Sequence, residues 1–426
     1  MVSSTDSVRL GFTGLGNRGS SLLNLCLDMN DVSIAAICDV QSRHRRRIEE
    51  RVLDAGKPEP TGYERHEEMV DCEDLDGVII TAPWRFHIPM AITAMESNVF
   101  PAMDVGPASS IEECWDLVRT SERMGVSCML LENCYYYRDC LAILRMVREG
   151  VFGDLVHCRG GYCHELRERL VTGTATGLNR GGGRDFRGVH HEMHNGDTYP
   201  THGVGPMAKC LDINRGNRFL SLVSTASKAV GLETWAETNL EEEHPGRDVD
   251  WSKGDVITTT LSCANGETLA LVHDVSLPRP YSNEYHVQGT GGIWRRDTDP
   301  FQVERSPCDH DERYGRIHLE QCSPSHAWEP FQTYLEQYEH PLWQRYLAVG
   351  PKAGHGGVDH LMLRAYIETV TRNTQPPIDV YDAATWMAIS PLSERSVTLG
   401  ERVAVPDFTR GDWRSKEPTF VVSESP

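Results

Sequence analysis

The stretch Val8-Arg9-Leu10-Gly11-Phe12-Thr13-Gly14-Leu15-Gly16-Asn17-Arg18-Gly19 decides the fold. Six residues of strand character run straight into G-x-G-x-x-G, and Ser20 to Leu27 then takes helical spacing. Glycines at 14, 16 and 19 permit a tight turn, close approach of the backbone to a pyrophosphate and close helix–strand packing. The free N–H groups of the following helix would face the phosphates. A second strand, Val32 to Cys38, ends at Asp39, twenty residues after Gly19. An acid at that place accepts from the adenosine ribose hydroxyls, and its charge repels a 2′-phosphate, so it favours NAD over NADP. Arg43, Arg45 and Arg46 read as a solvated helix face beside it.

Outward from this motif the strand–helix alternation continues. Gly77 to Pro83 is an apolar run of the kind buried in a parallel sheet, and Ile111 to Met124 is a helix capped by Ser109-Ser110. Val126 to Leu131 closes the series as a further strand. The pattern predicts a Rossmann-type doubly wound parallel sheet over residues 1–133. The remainder, 134–426, has a different grain. Val256–Cys263 and Thr268–Val275 flank an Asn265-Gly266 turn, a hairpin signal, so this part reads as an α+β domain with a mainly antiparallel, open-faced sheet. A bare sheet face of that kind would pack against a second copy of the chain. Leu170 to His194, rich in Gly, Arg and His, reads as a long loop, and loops of that length are more often functional than idle.

Composition removes several function classes. Among 426 residues, 42 Lys plus Arg face 62 Asp plus Glu, a formal net charge of −20 that repels nucleic acid and anionic lipid alike. No apolar run reaches membrane-spanning length, and Met1 to Ser7 lacks the basic and apolar segments of an export signal. The 13 cysteines are scattered without a C-x-x-C pair, which suits reduced thiols and a cytoplasmic protein. His190 and His194 stand four apart, as two ligands on a helix face would, yet no third ligand has a diagnostic spacing; no metal is expected.

Other strings carry a family likeness. Thr81-Ala82-Pro83-Trp84-Arg85-Phe86-His87 after the nucleotide strands resembles the Gfo/Idh/MocA oxidoreductases. Leu131-Glu132-Asn133, His157 to Tyr162, Asn195 to Gly203, Leu211 to Arg218, Ser276 to Tyr281 and Gly354-His355-Gly356-Gly357 are similar to glycoside hydrolase family 109, the NAD-dependent α-N-acetylgalactosaminidases. The likeness implies that Asn17, Arg18, Asp39, Trp84, Arg85, Phe86, His87, Asp104, Val105, Asn133 and Tyr199 line NAD. It also implies that Tyr162, Arg187, Tyr199, Pro200, Thr201, His202 and Tyr281 surround the sugar. The superfamily usually has Glu-Lys-Pro after its fifth strand, where this chain has Asp104-Val105-Gly106-Pro107, and the missing lysine also marks the glycosidase branch.

Such an enzyme breaks the rule of two flanking carboxylates. The likeness implies oxidation at carbon 3 of the sugar, loss of the carbon-2 proton, departure of the aglycone from carbon 1, addition of water and re-reduction, with no net use of NAD. His202 suits the carbon-3 hydroxyl, since imidazole titrates near neutrality. Tyr162 is the candidate base at carbon 2, a task for which a phenol, of reference pKa about 10, needs a neighbouring cation such as Arg187. Tyr199 orients the cofactor or the hydroxyl, Tyr281 binds substrate, and Glu132 positions one of these groups. The competing reading is an NAD-dependent sugar or cyclitol dehydrogenase.

Overall fold

The computed structural model describes residues 7–173, 185–297, 313–349 and 355–417. They form two compact units. One is built from the chain up to Tyr136 together with Gln344–Thr385, the other from Tyr137–Trp343 together with the segment from Trp386.

The first unit contains β1 (Val8–Thr13), α1 (Asn17–Leu27), β2 (Val32–Cys38), α2 (Ser42–Asp54), β3 (Thr61–Tyr63), α3 (His66–Cys72), β4 (Gly77–Ile80), α4 (His87–Glu96), β5 (Phe100–Met103), α5 (Ile111–Met124) and β6 (Met129–Leu130). The strands lie in the order β3-β2-β1-β4-β5-β6, all parallel, which is the doubly wound arrangement. Parallel strands are covered on both faces, so β4 is buried along its whole length and β1 carries Leu10 and Phe12 at no exposure. Ser110 caps α5 by accepting the Glu113 N–H, and Glu113 reaches back to the Ser109 N–H, a reciprocal cap that contributes about 1 kcal/mol. The expected strand over Val126–Leu131 contracts to Met129–Leu130.

The later helices are α6 (Arg138–Arg148), α7 (Arg167–Thr172), α8 (Phe186–Met193), α9 (Thr201–Cys210), α10 (Gly231–Asn239), α11 (Gln332–Tyr338), α12 (Pro341–Val349), α13 (Val358–Arg372), α14 (Val380–Met387) and α15 (Ile389–Leu399). The later strands are β7 (Leu155–Cys163), β8 (Phe219–Ala226), β9 (Val256–Cys263), β10 (Thr268–Asp274), β11 (Tyr285–Gly289), β12 (Gly292–Arg296), β13 (Arg316–Leu319), β14 (Glu329–Pro330) and β15 (Val403–Ala404). They make one sheet in the order β14-β13-β12-β11-β7-β10-β9-β8-β15, antiparallel except where β7 meets β10. The hairpin at Asn265-Gly266 forms as the sequence predicts, Ser262 facing Thr268. Helices α9 and α15 pack on this sheet, while Val223, Thr258 and Arg159 are exposed on its strands.

Two sequence expectations change. The span 134–426 is interrupted, because α13 returns to the nucleotide unit, where Arg364 pairs with Asp31 and the Tyr366 hydroxyl donates to the Phe100 carbonyl at 2.7 Å. The Leu170–His194 segment is not simply loop. It begins in α7 and ends in α8, whose start is capped by Asp185 accepting the Arg187 N–H; residues 174–184 lie outside the described residues. No described helix is long and apolar enough to cross a membrane.

Candidate active site

In the first unit the glycine motif forms the turn the sequence predicts. Gly14 has φ +87°, and a Cβ there would stand 2.6 Å from the Ala82 backbone nitrogen, so only glycine fits. Gly16 is the N-cap of α1 and Asn17 its first residue; no side chain caps this end, and Gly19 packs against the Gly14 carbonyl. These features fit a dinucleotide pyrophosphate at the helix start. Asp39 accepts from Leu15 N–H and Gln41 N–H, both at 2.8 Å, and pairs with His44 at 3.1 Å. Two carboxylate oxygens offer about four acceptor positions, so room is left for a ribose hydroxyl. The nearby arginines are engaged with protein. Arg45 donates to the Asp39 carbonyl, Arg47 to the Leu15 carbonyl at 2.7 Å, and Arg43 to Gln41 at 2.7 Å.

Other cofactor candidates of this unit follow the ends of neighbouring strands, with Arg18 on α1; Tyr199, also a candidate, belongs to the second unit. Trp84 to Phe86 form a 3₁₀ turn after β4, with Trp84 buried, Arg85 stacked 4.6 Å over the Phe86 ring, and buried His87 meeting the Ala82 carbonyl at 2.7 Å. Asp104 and Val105 follow β5. Arg18 bridges Asp104 at 3.1 Å and Asp359 at 2.8 Å, and the Asn133 amide donates to the other oxygen of Asp359 at 2.9 Å. Asp359, in the first turn of α13, is fully buried, and the sequence reading did not find it. Asp104, Arg18, Asp359 and Asn133 thus form one connected group.

The second unit holds the other candidates. Strand β7 presents Tyr162, buried, and α9 sits on β7 backbone to backbone. A Cβ on Gly203 would lie 2.7 Å from the Gly161 nitrogen, so the glycines let the helix start approach the strand. The approach brings the Tyr162 ring 4.5 Å from Tyr199 and 5.4 Å from His202, which are themselves 4.9 Å apart. The Tyr285 hydroxyl fixes the His202 carbonyl at 2.5 Å. Arg187, on α8, lies 4.8 Å over the Tyr199 ring and hydrogen-bonds Tyr162. Burial works against its charge, but Tyr199, Tyr162 and Asp185 more than compensate and hold its proton more tightly than usual. Tyr281 stands 6.1 Å from Tyr162 and accepts from the Asn283 amide at 3.2 Å. Pro200 and Thr201 are buried in the turn that starts α9, where they seat Tyr199 and His202.

Other groups in this unit escaped the sequence reading. His164 lies just past the end of β7, two residues on from Tyr162, and stands 5.1 Å from Tyr281. His273, on β10, is the register partner of Tyr162 and meets the Thr198 hydroxyl at 3.2 Å. Lys253 is buried and donates to the Gly196 carbonyl, while Asp197 accepts the Tyr199 N–H at 3.1 Å, so the pair braces the turn carrying Tyr199. Burial brings Lys253 down to about 7 against the pull of Asp197 and Glu394, and burial lifts Asp197 to about 6 despite Lys253. His190 and His194 stack at 4.2 Å, and His194 pairs with Glu394 at 3.0 Å.

These buried imidazoles give stability a definite pH dependence. Burial, then Lys253, hold His191 and His273 well below 6.5; burial and His194 bring His190 to about 3. All three bind protons more weakly folded than unfolded, so their contribution is complete above about pH 6.5 and is lost on acidification. Asp197 has the opposite sign, gaining stability as pH falls from about 6 toward 3.8. Three groups outweigh one. The melting temperature is expected to fall between about pH 6.5 and pH 4, and a His273→Gln variant should show a flatter decline. A variant with an unchanged slope would remove His273 from this account.

The family model for the C-terminal domain of glycosyl hydrolase 109 matches residues 136–415. An α-N-acetylgalactosaminidase from Tannerella forsythia is 39% identical over 97% of this chain and 89% of its own length. A glycosyl hydrolase family 109 protein from Stenotrophomonas maltophilia is also 39% identical, over 97% of this chain and 91% of its own. Among solved structures, the WlbA dehydrogenase from Bordetella pertussis in complex with NADH and UDP-GlcNAcA superposes with TM-score 0.64 at 13% identity, covering 95% of this chain and 99% of that one. At that identity the likeness concerns the fold.

Proposed function

This chain belongs to glycosyl hydrolase family 109, and on that premise we propose that it hydrolyses α-linked N-acetylgalactosaminides, or a related hexosaminide, with NAD as a resident cofactor. The observation that carries the reading is the set of rings in contact with Tyr162. They are phenols and imidazoles, with one guanidinium alongside, instead of the paired carboxylates of most glycosidases.

Gly14, Gly16, Asn17, Gly19 and Asp39 would hold the dinucleotide, supported by Arg18, Trp84 to His87, Asp104, Val105 and Asn133. Bound there, NAD supplies reversible oxidation of the sugar at carbon 3. His202 takes the proton of the carbon-3 hydroxyl and later returns it. The ketone acidifies carbon 2, and Tyr162 removes that proton while Arg187 balances the developing charge. The aglycone leaves carbon 1, water adds there, and Tyr162 gives its proton back. Tyr199 orients the reacting groups and Tyr281 binds the sugar at the edge of the cluster.

Purified protein given p-nitrophenyl α-N-acetylgalactosaminide without added cofactor is expected to release nitrophenol. Absence of nitrophenol, with stoichiometric NADH formed from free sugar and added NAD⁺, would overturn this in favour of a sugar dehydrogenase.

A further inference from the structure

Helix α9 carries His202 in its first turn and Pro206 in its interior. In an α-helix the N–H of residue 206 closes onto the carbonyl of residue 202. Proline has no N–H to give, and its ring crowds the carbonyl four residues back, so the helix by itself turns the His202 carbonyl aside. The Tyr285 hydroxyl stands in for the missing donor, 2.5 Å from that oxygen. Tyr285 opens β11 and is fully buried.

Behind its ring lies a fully buried ion pair. Arg296, the register partner of Tyr285 on β12, donates to the two oxygens of Asp139 at 2.8 and 3.0 Å. Its guanidinium lies 4.7 Å from the Tyr137 ring on α6's approach and 5.1 Å from the Tyr285 ring. A cation anchored by two carboxylate bonds keeps that ring in one place, and with it the hydroxyl that meets His202.

We propose that Tyr285 is a positioning residue for His202: it replaces the helix bond that Pro206 forbids, and so sets the peptide from which the imidazole projects. The carbonyl and the side chain of His202 are joined through one Cα, and a turn of that peptide would swing the imidazole away from Tyr162, whose ring is 5.4 Å off. The consequence for turnover rests on the reading above, in which His202 takes the carbon-3 proton.

Tyr285→Phe keeps the ring and removes the hydroxyl alone. On p-nitrophenyl α-N-acetylgalactosaminide its kcat should fall about 10- to 100-fold while KM stays within about twofold. The amides of residues 201–210, followed by hydrogen–deuterium exchange, should exchange about tenfold faster. Adding Pro206→Ala to Tyr285→Phe returns an N–H to residue 206. The double variant should recover kcat to within about threefold of the unaltered enzyme and regain slow exchange, a coupling that a merely packing role would not produce. An unchanged kcat in Tyr285→Phe would overturn the assignment, as would a loss carried by KM or one that Pro206→Ala does not relieve. If exchange rises and is rescued as described but His202→Ala keeps full turnover, the bond to Tyr285 stands and the catalytic reading of His202 is what fails.

Discussion

Tyr162→Phe is expected to lower turnover of p-nitrophenyl α-N-acetylgalactosaminide by about a thousandfold, while the protein melts within a few degrees of the unaltered chain. The ring fills its place between Tyr199, Tyr281 and His273 without its hydroxyl, so packing should survive. What disappears is the oxygen that Arg187 addresses and that is proposed to take the carbon-2 proton. Solvent exchange of carbon-2 deuterium should therefore stop along with turnover. If exchange persists in the variant, another group is the base. If the variant keeps more than about a tenth of the activity, Tyr162 is structural.

Asp359→Asn is the second substitution with a large expected effect, and it acts in the other unit. Asp359 is the fully buried acceptor for both Arg18 and Asn133. Replacing it by the amide removes one of the two carboxylate charges paired with the half-buried Arg18 guanidinium and leaves Asp104, and breaking one side of such a hydrogen-bonded charge group costs roughly 2 kcal/mol. If Arg18 and Asn133 contact the dinucleotide as proposed, its dissociation constant should rise about thirtyfold. The readout is NAD retained through purification, followed by fluorescence titration with added NAD⁺, neither of which depends on turnover. Unchanged affinity in a folded variant would separate Asp359 from cofactor binding.

The nucleotide half was legible because its signals are local. The glycine turn, Asp39 and the Ser110 cap each bring a motif and its partner within a few residues or one strand of each other. The hairpin at Asn265-Gly266 is equally local. What escaped reading depends on distant chain. Asp359 meets Arg18 and Asn133 across 341 and 226 residues, and nothing in its neighbourhood marks that meeting. Lys253 sits between a Trp-Ser and a Gly-Asp pair that belong to no motif, and only the fold shows it buried. His164 stands two residues beyond Tyr162, just past the end of β7, where alternation had no further residues to confirm it. Helix α8 was missed for a plainer reason: its Gly and two adjacent His residues weaken helical propensity, and tertiary packing overrides that preference.

The glycine contact between α9 and β7 also constrains how this protein can change. Because backbone meets backbone at Gly160, Gly161 and Gly203, the spacing between Tyr162 and His202 is set by main-chain thickness. No side chain there can be trimmed or enlarged to adjust it by degrees. Substitution at these glycines would displace Tyr162 or His202 by a large step, and if these groups react as proposed, misplacements near 1 Å already cost about a hundredfold. On the reading proposed above, a change of sugar would fall to positions such as Tyr281 or Arg187, around an interval that is inherited whole.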